Sequence, residues 1–323
     1  MGTVVISIDA ELGWGHHDLR SPPVERVEYA RTGWRRLAAL HDEFELPATW
    51  GVVGHLLLDE CDGVHAGHPT PDGWFAREWG SWDTRPDLRF GRDLVDLIVE
   101  SDVEHELACH SFSHVLFDGP ETTAAVARAE LRACQAALDR YPAGPDAFDS
   151  FVFPRNRIGH RAVLADEGYR CYRGETLGPA QGMRALAPLR KVAAALARRP
   201  PPLVEPRVDE YGLVNLPSSM YLFGFEGVPK AVWAALDGDP LVARAKRGVD
   251  RAAAEGGVFH LWLHPNNLVS RADGRRVRAI YRYLRTAVDA GRVTVEPMRA
   301  VAASAATAVD ERPARPPAID ADW

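Results

Sequence analysis

The chain has 323 residues, 46% of them hydrophobic and 26% charged, with a formal net charge of -7. That is the profile of a globular protein with an ample core, and it excludes a disordered chain. No basic tract offsets the acidic balance, so general affinity for nucleic acid or anionic membrane is not expected, and a neutral or locally recognised partner is.

The first apolar run, Thr3–Ile8, passes straight into Asp9-Ala10-Glu11 without a charged leader or cleavage site, so it reads as a core strand. No apolar run approaches the roughly 18 residues of a membrane span, and a cytoplasmic protein is expected. Further strand-like runs are Ala48–Val53, Val103–Ala108, Ser150–Phe153, Tyr169–Tyr172, Leu213–Leu216 and Val258–Leu263. Segments of helical length or period separate them: Val24–Glu45, Leu88–Ser101, Glu121–Tyr141, His160–Glu167, Leu241–Glu255 and Arg275–Ala290. This alternation predicts βα units around a parallel sheet or barrel, with Val293–Val295 closing or capping it. One barrel domain over residues 1–300 fits the length.

Two stretches interrupt the rhythm. Cys61–Pro86 is rich in Gly, Pro, Asp and His but carries Trp74, Trp79 and Trp82, and reads as an ordered insertion near one mouth of the barrel. Thr176–Val208 reads as a helical excursion ending in the turn Pro200-Pro201-Pro202, and residues 303–323 as a mobile tail. Cys61, Cys109, Cys134 and Cys171 show no CxxC spacing, so neither a disulfide framework nor a zinc knuckle is expected. Cys109 reads as a small buried strand residue, with a ligand role beside His110 as the alternative.

In a parallel βα fold the functional groups collect on the loops after the C-terminal ends of the strands. Four such ends carry polar chemistry here: Asp9 and Glu11, His110 and His114, Arg155 and Arg157, and His264. One helical turn after Val103–Ala108 would put His110 and His114 on one side as a two-point chelate; the alternative is two capping or surface histidines. Two histidines and one carboxylate leave open positions on a cation, as in hydrolytic zinc sites. Asp9 and Glu11, one residue apart, share a face if the strand persists, and their mutual repulsion favours one as ligand and one as free base. The alternative is a turn-capping Asp9 and a solvated Glu11. Alternation in Phe259–Leu263 puts His260, Trp262 and His264 on one face; His260 reads as a hydrogen-bonded core residue and His264 as catalytic. Arg155 can neutralise a carboxylate or anchor a substrate oxygen, or simply occupy an exposed turn. Trp14, Trp74, Trp79 and Trp82 either stack on sugar faces or pack the insertion.

Across residues 3–295 the ordered set resembles the polysaccharide deacetylases of the NodB-homology type, carbohydrate esterase family four. Ser7-Ile8-Asp9-Ala10-Glu11 is similar to the family's first motif, His110-Ser111-Phe112-Ser113-His114 to its His-(Ser/Thr)-x-x-His motif, and Leu263-His264-Pro265 to its Leu-His-Pro motif. The resemblance implies a distorted (β/α)7 barrel with Asp9 as base, Glu11, His110 and His114 as metal ligands, and His264 as acid. Arg155 and Trp262 are the expected substrate contacts. Two departures stand out: the family's arginine two residues before the third-motif proline is Val152 here, while Arg155 follows Pro154, and the fourth motif is only loosely matched by Leu216–Tyr221.

The expected function is metal-dependent removal of N-acetyl or O-acetyl groups from a carbohydrate or carbohydrate precursor. Zinc is the expected cation, with cobalt, nickel or manganese as alternatives. Other readings are an amidase or cyclic-amide hydrolase acting on a small non-sugar amide, a retaining glycosidase, and a non-catalytic carbohydrate-binding barrel.

Overall fold

The computed structural model describes residues 1–177, 199–223 and 239–310. In chain order the elements are β1 (Gly2–Ala10), α1 (Val24–Phe44), β2 (Thr49–Val52), the short helices α2 (Ala76–Trp79) and α3 (Pro86–Arg89), α4 (Arg92–Val99), β3 (Glu106–Cys109), α5 (Ala124–Leu138), β4 (Ser150–Val152) and α6 (Arg161–Asp166). They continue with β5 (Cys171–Thr176), β6 (Arg207–Val208), β7 (Val214–Ser218), β8 (Met220–Tyr221), α7 (Pro240–Glu255), β9 (Val258–Leu263), α8 (Arg271–Asp289), β10 (Val293–Val295) and α9 (Met298–Asp310).

The sheet runs β7-β5-β4-β3-β2-β1-β9-β8, every pair parallel, with β6 added antiparallel on β7. Only Ser219 separates β7 from β8, so one stretch of chain pairs with β5 at its start and with β9 at its end. The Ser219 amide donates to the His260 carbonyl at 2.7 Å, and Ser219 Oγ accepts the His260 amide at 3.1 Å. The sheet thereby closes on itself, giving the distorted (β/α)7 barrel. Parallel strands wrapped by helices are buried on both faces, which is why β1 is apolar through Val4, Val5, Ile6 and Ile8 without strict alternation.

β1 is the hub. Its Thr3–Ile8 edge pairs with β9, Ser7–Ala10 with β2 and Gly2–Val4 with β10. Three partners leave no freedom of register, so the direction in which Asp9 projects is fixed.

Several expectations need correction. Residues 103–105 are not strand; β3 begins at Glu106, and His105 Nδ1 accepts the Ala48 amide at 3.1 Å in the preceding loop. Leu88–Ser101 is broken at Phe90-Gly91 into α3 and α4. The tail expected from residue 303 is helical to Asp310, because α9 is docked: Thr49 Oγ1 accepts the Met298 amide at 2.7 Å, Glu106 Oε2 accepts the Arg299 amide at 3.0 Å, and Met298, Val301 and Ala302 are buried. Such an alanine-rich stretch reads alike as helix or linker until its capping partners are known. Thr176 remains within β5, and Val204 and β6 rejoin the sheet, so the excursion is shorter than expected; its residues 178–198, like 311–323 of the tail, lie outside the described residues. Among the described residues no helix is long and apolar enough to cross a membrane.

Candidate metal centre and active site

Strand β1 delivers Asp9 and Glu11 to the barrel mouth, both almost wholly buried. Glu11 Oε2 lies 3.5 Å from His110 Nε2 and 3.2 Å from His114 Nε2. One ligand atom from each of the three lies within 4.8 Å of the others. No helical turn brings the histidines together, contrary to the sequence expectation. The chain instead makes a tight loop with Ser111 (φ 58°) and His114 (φ 63°) in the left-handed region, a strained conformation that must be held from outside.

Glu130 of α5 is the restraint. Its carboxyl accepts the Ser113 amide at 2.8 Å and the Ser113 hydroxyl at 2.6 Å. Burial pushes its pKa up to about 7 against those hydrogen bonds, and His68 Nε2, 3.4 Å away, is itself driven down to about 4 by burial and brings no charge at neutral pH. The fold therefore favours the protonated acid. The resulting stability is full below about 4.5 and is lost as pH rises through 7, by about 3 kcal/mol over the window. Glu130→Gln should flatten the stability profile between those limits in denaturant titrations; an unchanged slope would dismiss the assignment.

The donor set fits a cation. The His110 Nδ1–H donates to the Val152 carbonyl at 2.6 Å, and because a carbonyl only accepts, Nε2 carries the lone pair toward Glu11. That Nε2 is buried without a hydrogen-bond partner, as is His114 Nδ1. A buried lone pair facing a carboxylate is costly unless a cation lies between them. Burial raises the Glu11 pKa, but the His264 charge and the close His110 and His114 rings outweigh it and hold the carboxyl well below its usual range. Burial lowers the His114 pKa more than Glu11 restores it, which keeps the imidazole neutral and able to ligate.

Asn266, just beyond His264, donates from Nδ2 to Glu11 Oε1 at 3.2 Å and touches His16 Nε2 at 3.2 Å, fixing the carboxylate. Two glycines permit this packing. A Cβ on Gly15 would lie 2.0 Å from Glu11 Cδ, and one on Gly33 of α1 would lie 2.0 Å from the Pro265 carbonyl oxygen.

Asp9 is held by an arginine, though not by Arg155. Arg173 on β5 gives Asp9 a bidentate pair at 2.5 and 2.7 Å, and its remaining donors reach Ser7 Oγ at 3.2 Å and Asn156 Oδ1 at 2.8 and 3.1 Å. Every N–H of this fully buried guanidinium is thus used, and its face lies 4.4 Å from the Trp262 ring centre. In the β4–β5 pairing Arg173 is the direct partner of Val152. Arg173 thus reaches Asp9 from the strand beside Val152, the position where the resemblance led an arginine to be expected. Arg155 instead pairs with Asp18 at 2.5 Å and donates to the Gly15 carbonyl at 3.2 Å. Arg157 pairs with Asp118 at 2.6 Å. Burial raises the Asp9 pKa, but Arg173 and His264 more than offset it, and the net shift is downward.

His264 Nε2 stands 3.7 Å from both Asp9 Oδ2 and Glu11 Oε1, and its side chain, 19% exposed, is the most open of this group. The rings of Trp262 and Tyr221 flank it at 5.3 and 5.7 Å. Trp262 Nε1 donates to Thr176 Oγ1 at 3.1 Å, and the Tyr221 hydroxyl donates to Asn267 Oδ1 at 3.0 Å. His260 is a core residue: Nδ1 bonds the Pro217 carbonyl at 2.9 Å and Nε2 meets Ser7 Oγ at 2.8 Å. Trp14 is buried against Trp82 and Phe75 and packs the insertion, Trp74 donates to Ser113 Oγ at 2.9 Å, and Trp79 is exposed.

No family model matches the sequence, and no curated protein matches it significantly. Among solved structures, a candidate polysaccharide deacetylase from Mycobacterium smegmatis is similar over 96% of this chain and 92% of its own, at 18% identity and a TM-score of 0.59. An allantoinase is similar over 93% of this chain and 89% of its own (14% identity, TM-score 0.57), and a candidate polysaccharide deacetylase from Pseudomonas aeruginosa PAO1 over the same shares (13%, 0.56). Likeness at such identities establishes the shared barrel; the chemistry rests on the side chains above.

Proposed function

We propose that the chain is a metal-dependent hydrolase that removes N-acetyl, or O-acetyl, groups from a carbohydrate or carbohydrate precursor. The observation that carries this reading is the buried Glu11–His110–His114 set, with an unpartnered imidazole nitrogen, beside Asp9 and His264 at one mouth of the barrel. Glu11, His110 and His114 would hold a divalent cation, zinc first, with cobalt, nickel or manganese as alternatives. When bound, such a cation polarises a carbonyl oxygen and lowers the pKa of water toward ~7.

The chain's own groups supply the proton transfers. Asp9, kept ionised by Arg173, accepts a proton from the attacking water. His264, as imidazolium, donates a proton to the departing amine nitrogen, so the C–N bond breaks and acetate and a free amine leave. Its partial exposure suits contact with substrate, and its Nε2 lies 3.7 Å from a carboxylate oxygen of Asp9 and of Glu11. Trp262, between Arg173 and His264, and Arg155, anchored on Asp18, are the proposed substrate contacts.

The fold shared with an allantoinase favours one second reading, hydrolysis of a small non-sugar amide. Acetate release from N-acetylglucosamine-containing substrates, including nucleotide- and lipid-linked precursors, compared with turnover of formamides and cyclic imides, separates the two. Chelator-sensitive acetate release is expected; sugar binding without turnover would identify a non-catalytic barrel, and chelator-insensitive glycoside cleavage a glycosidase. His264→Ala should keep its metal and lose about 10²–10⁴ in kcat. Unchanged turnover would remove His264 from the mechanism.

A further inference from the structure

Away from the barrel mouth, the segment after β2 gathers a second set of ligating side chains: His55, Cys61, His65 and Glu78. One donor atom from each lies within 4.8 Å of all the others. Glu78 Oε1 stands 2.6 Å from His55 Nε2 and 2.7 Å from Cys61 Sγ, Glu78 Oε2 stands 2.7 Å from His65 Nε2, and His55 Nε2 is 3.2 Å from Cys61 Sγ. We propose that these four residues form a second metal site, a closed structural one holding a zinc-class cation through one sulfur, two nitrogens and one oxygen.

The geometry around the donors supports a bound cation. His55 Nδ1 bonds the Arg89 carbonyl at 2.9 Å, so the neutral ring carries its hydrogen there and turns the Nε2 lone pair toward the carboxylate and the sulfur. At 2.6 Å, lone pair against carboxylate is repulsive unless a positive centre joins them. The side chains of His55 and Glu78 are fully buried, so water cannot supply that relief. Arg89 donates to Glu78 Oε1 at 3.1 and 3.3 Å and to Cys61 Sγ at 3.3 Å, the outer hydrogen bonds expected around two anionic ligands.

Local sequence prepares the site. Cys61 and His65 lie on one turn, in which Asp62 Oδ1 accepts the Val64 and His65 amides at 2.8 and 3.3 Å and Gly63 takes φ 75° with the Trp79 backbone close by. Both residues also line a surface depression of about 320 Å³, which provides access for an ion. Four ligands with thiolate and imidazole among them select zinc over magnesium or calcium and leave no open position for substrate. Only Cys61 and His65, four residues apart like His110 and His114, hint at the set; His55 and the Glu78 carboxylate join it through the fold.

A cation here would brace the first site. Between β2 and α4 the longest helices, α2 and α3, have four residues each, too short to hold themselves. The His55 ring packs 4.5 Å from Trp14, three residues beyond Glu11, and 5.4 Å from Phe112, which lies between His110 and His114.

The test uses the full chain stripped of metal and titrated with Co²⁺. The two sites are separable because only the second contains sulfur. A near-ultraviolet thiolate-to-cobalt charge-transfer band is expected in the wild type and in His110→Ala, and is expected to vanish in Cys61→Ser. Zinc should displace the band and protect Cys61 from alkylation, read by peptide mapping, while Cys109, Cys134 and Cys171 are buried and unreactive throughout. Should Cys61→Ser fail to fold, His65→Ala should bind cobalt more than about tenfold more weakly. Absence of the band in both wild type and His110→Ala, with Cys61 alkylated equally with and without zinc, would overturn the proposal in favour of a His55 imidazolium paired with Glu78. The outcome is independent of whether the first site is hydrolytic.

Discussion

His110→Ala should release the cation of the Glu11–His110–His114 site and lower kcat/KM by on the order of 10³-fold or more. Carbonyl polarisation by a cation is worth several kcal/mol, and about 4 kcal/mol corresponds to three decades of rate. The variant should still fold, because the deletion leaves one carbonyl, that of Val152, without its donor at a cost of about 1–3 kcal/mol. Elemental analysis should show one equivalent less metal while the thiolate–cobalt band persists. Full metal content together with full rate would dismiss the site.

Arg173→Met should be the most damaging change outside the ligand set. It leaves the Asp9 carboxylate buried without its bidentate partner, which costs about 3–5 kcal/mol of stability. The pH dependence has a definite sign. In the wild type the depressed Asp9 pKa contributes stability above its unfolded value, near 3.8, that is lost as pH falls through the folded value. Without Arg173 the burial that raises the pKa is no longer outweighed, so Asp9 takes up its proton at higher pH. The acid limb of the pH–rate profile should move upward, with a loss of at least about 10²-fold at neutral pH. Arg173→Lys, keeping the charge without the fork, should fall between the two. An acid limb that does not move would separate Asp9 from the proton transfer.

The strand pattern of the barrel was legible because buried parallel strands write themselves as short apolar runs, and the polar residues just past them mark one mouth. That rule singled out Asp9, Glu11, His110, His114 and His264, which the fold brings together at one mouth. Arg173 escaped it for a physical reason. It lies 164 residues from Asp9 and one residue past the expected strand Tyr169–Tyr172, and only the β4–β5 register shows that it stands beside Val152. The first arginine past Val152 along its own strand and loop is Arg155, and it pairs with Asp18 instead. The left-handed loop at His110–His114 was equally hidden, since it depends on Glu130 from the next helix. The visible signal was a carboxylate on a helix face with Ser111 and Ser113 upstream, which sequence cannot distinguish from a solvated glutamate.

The position of β1 has a bearing on how the protein is made. This strand precedes the other described strands in the chain, yet two of its three partners, β9 and β10, are the last of them, and Thr3 meets Thr294 across 291 residues. Until β9 has been made, one edge of an apolar nine-residue strand stays open to pairing with other chains. Such non-local pairing is intrinsically slow. Expression yield and aggregation should therefore respond more sharply to changes in β9, β10 and the docked α9 than to changes of similar size in β3 or β4.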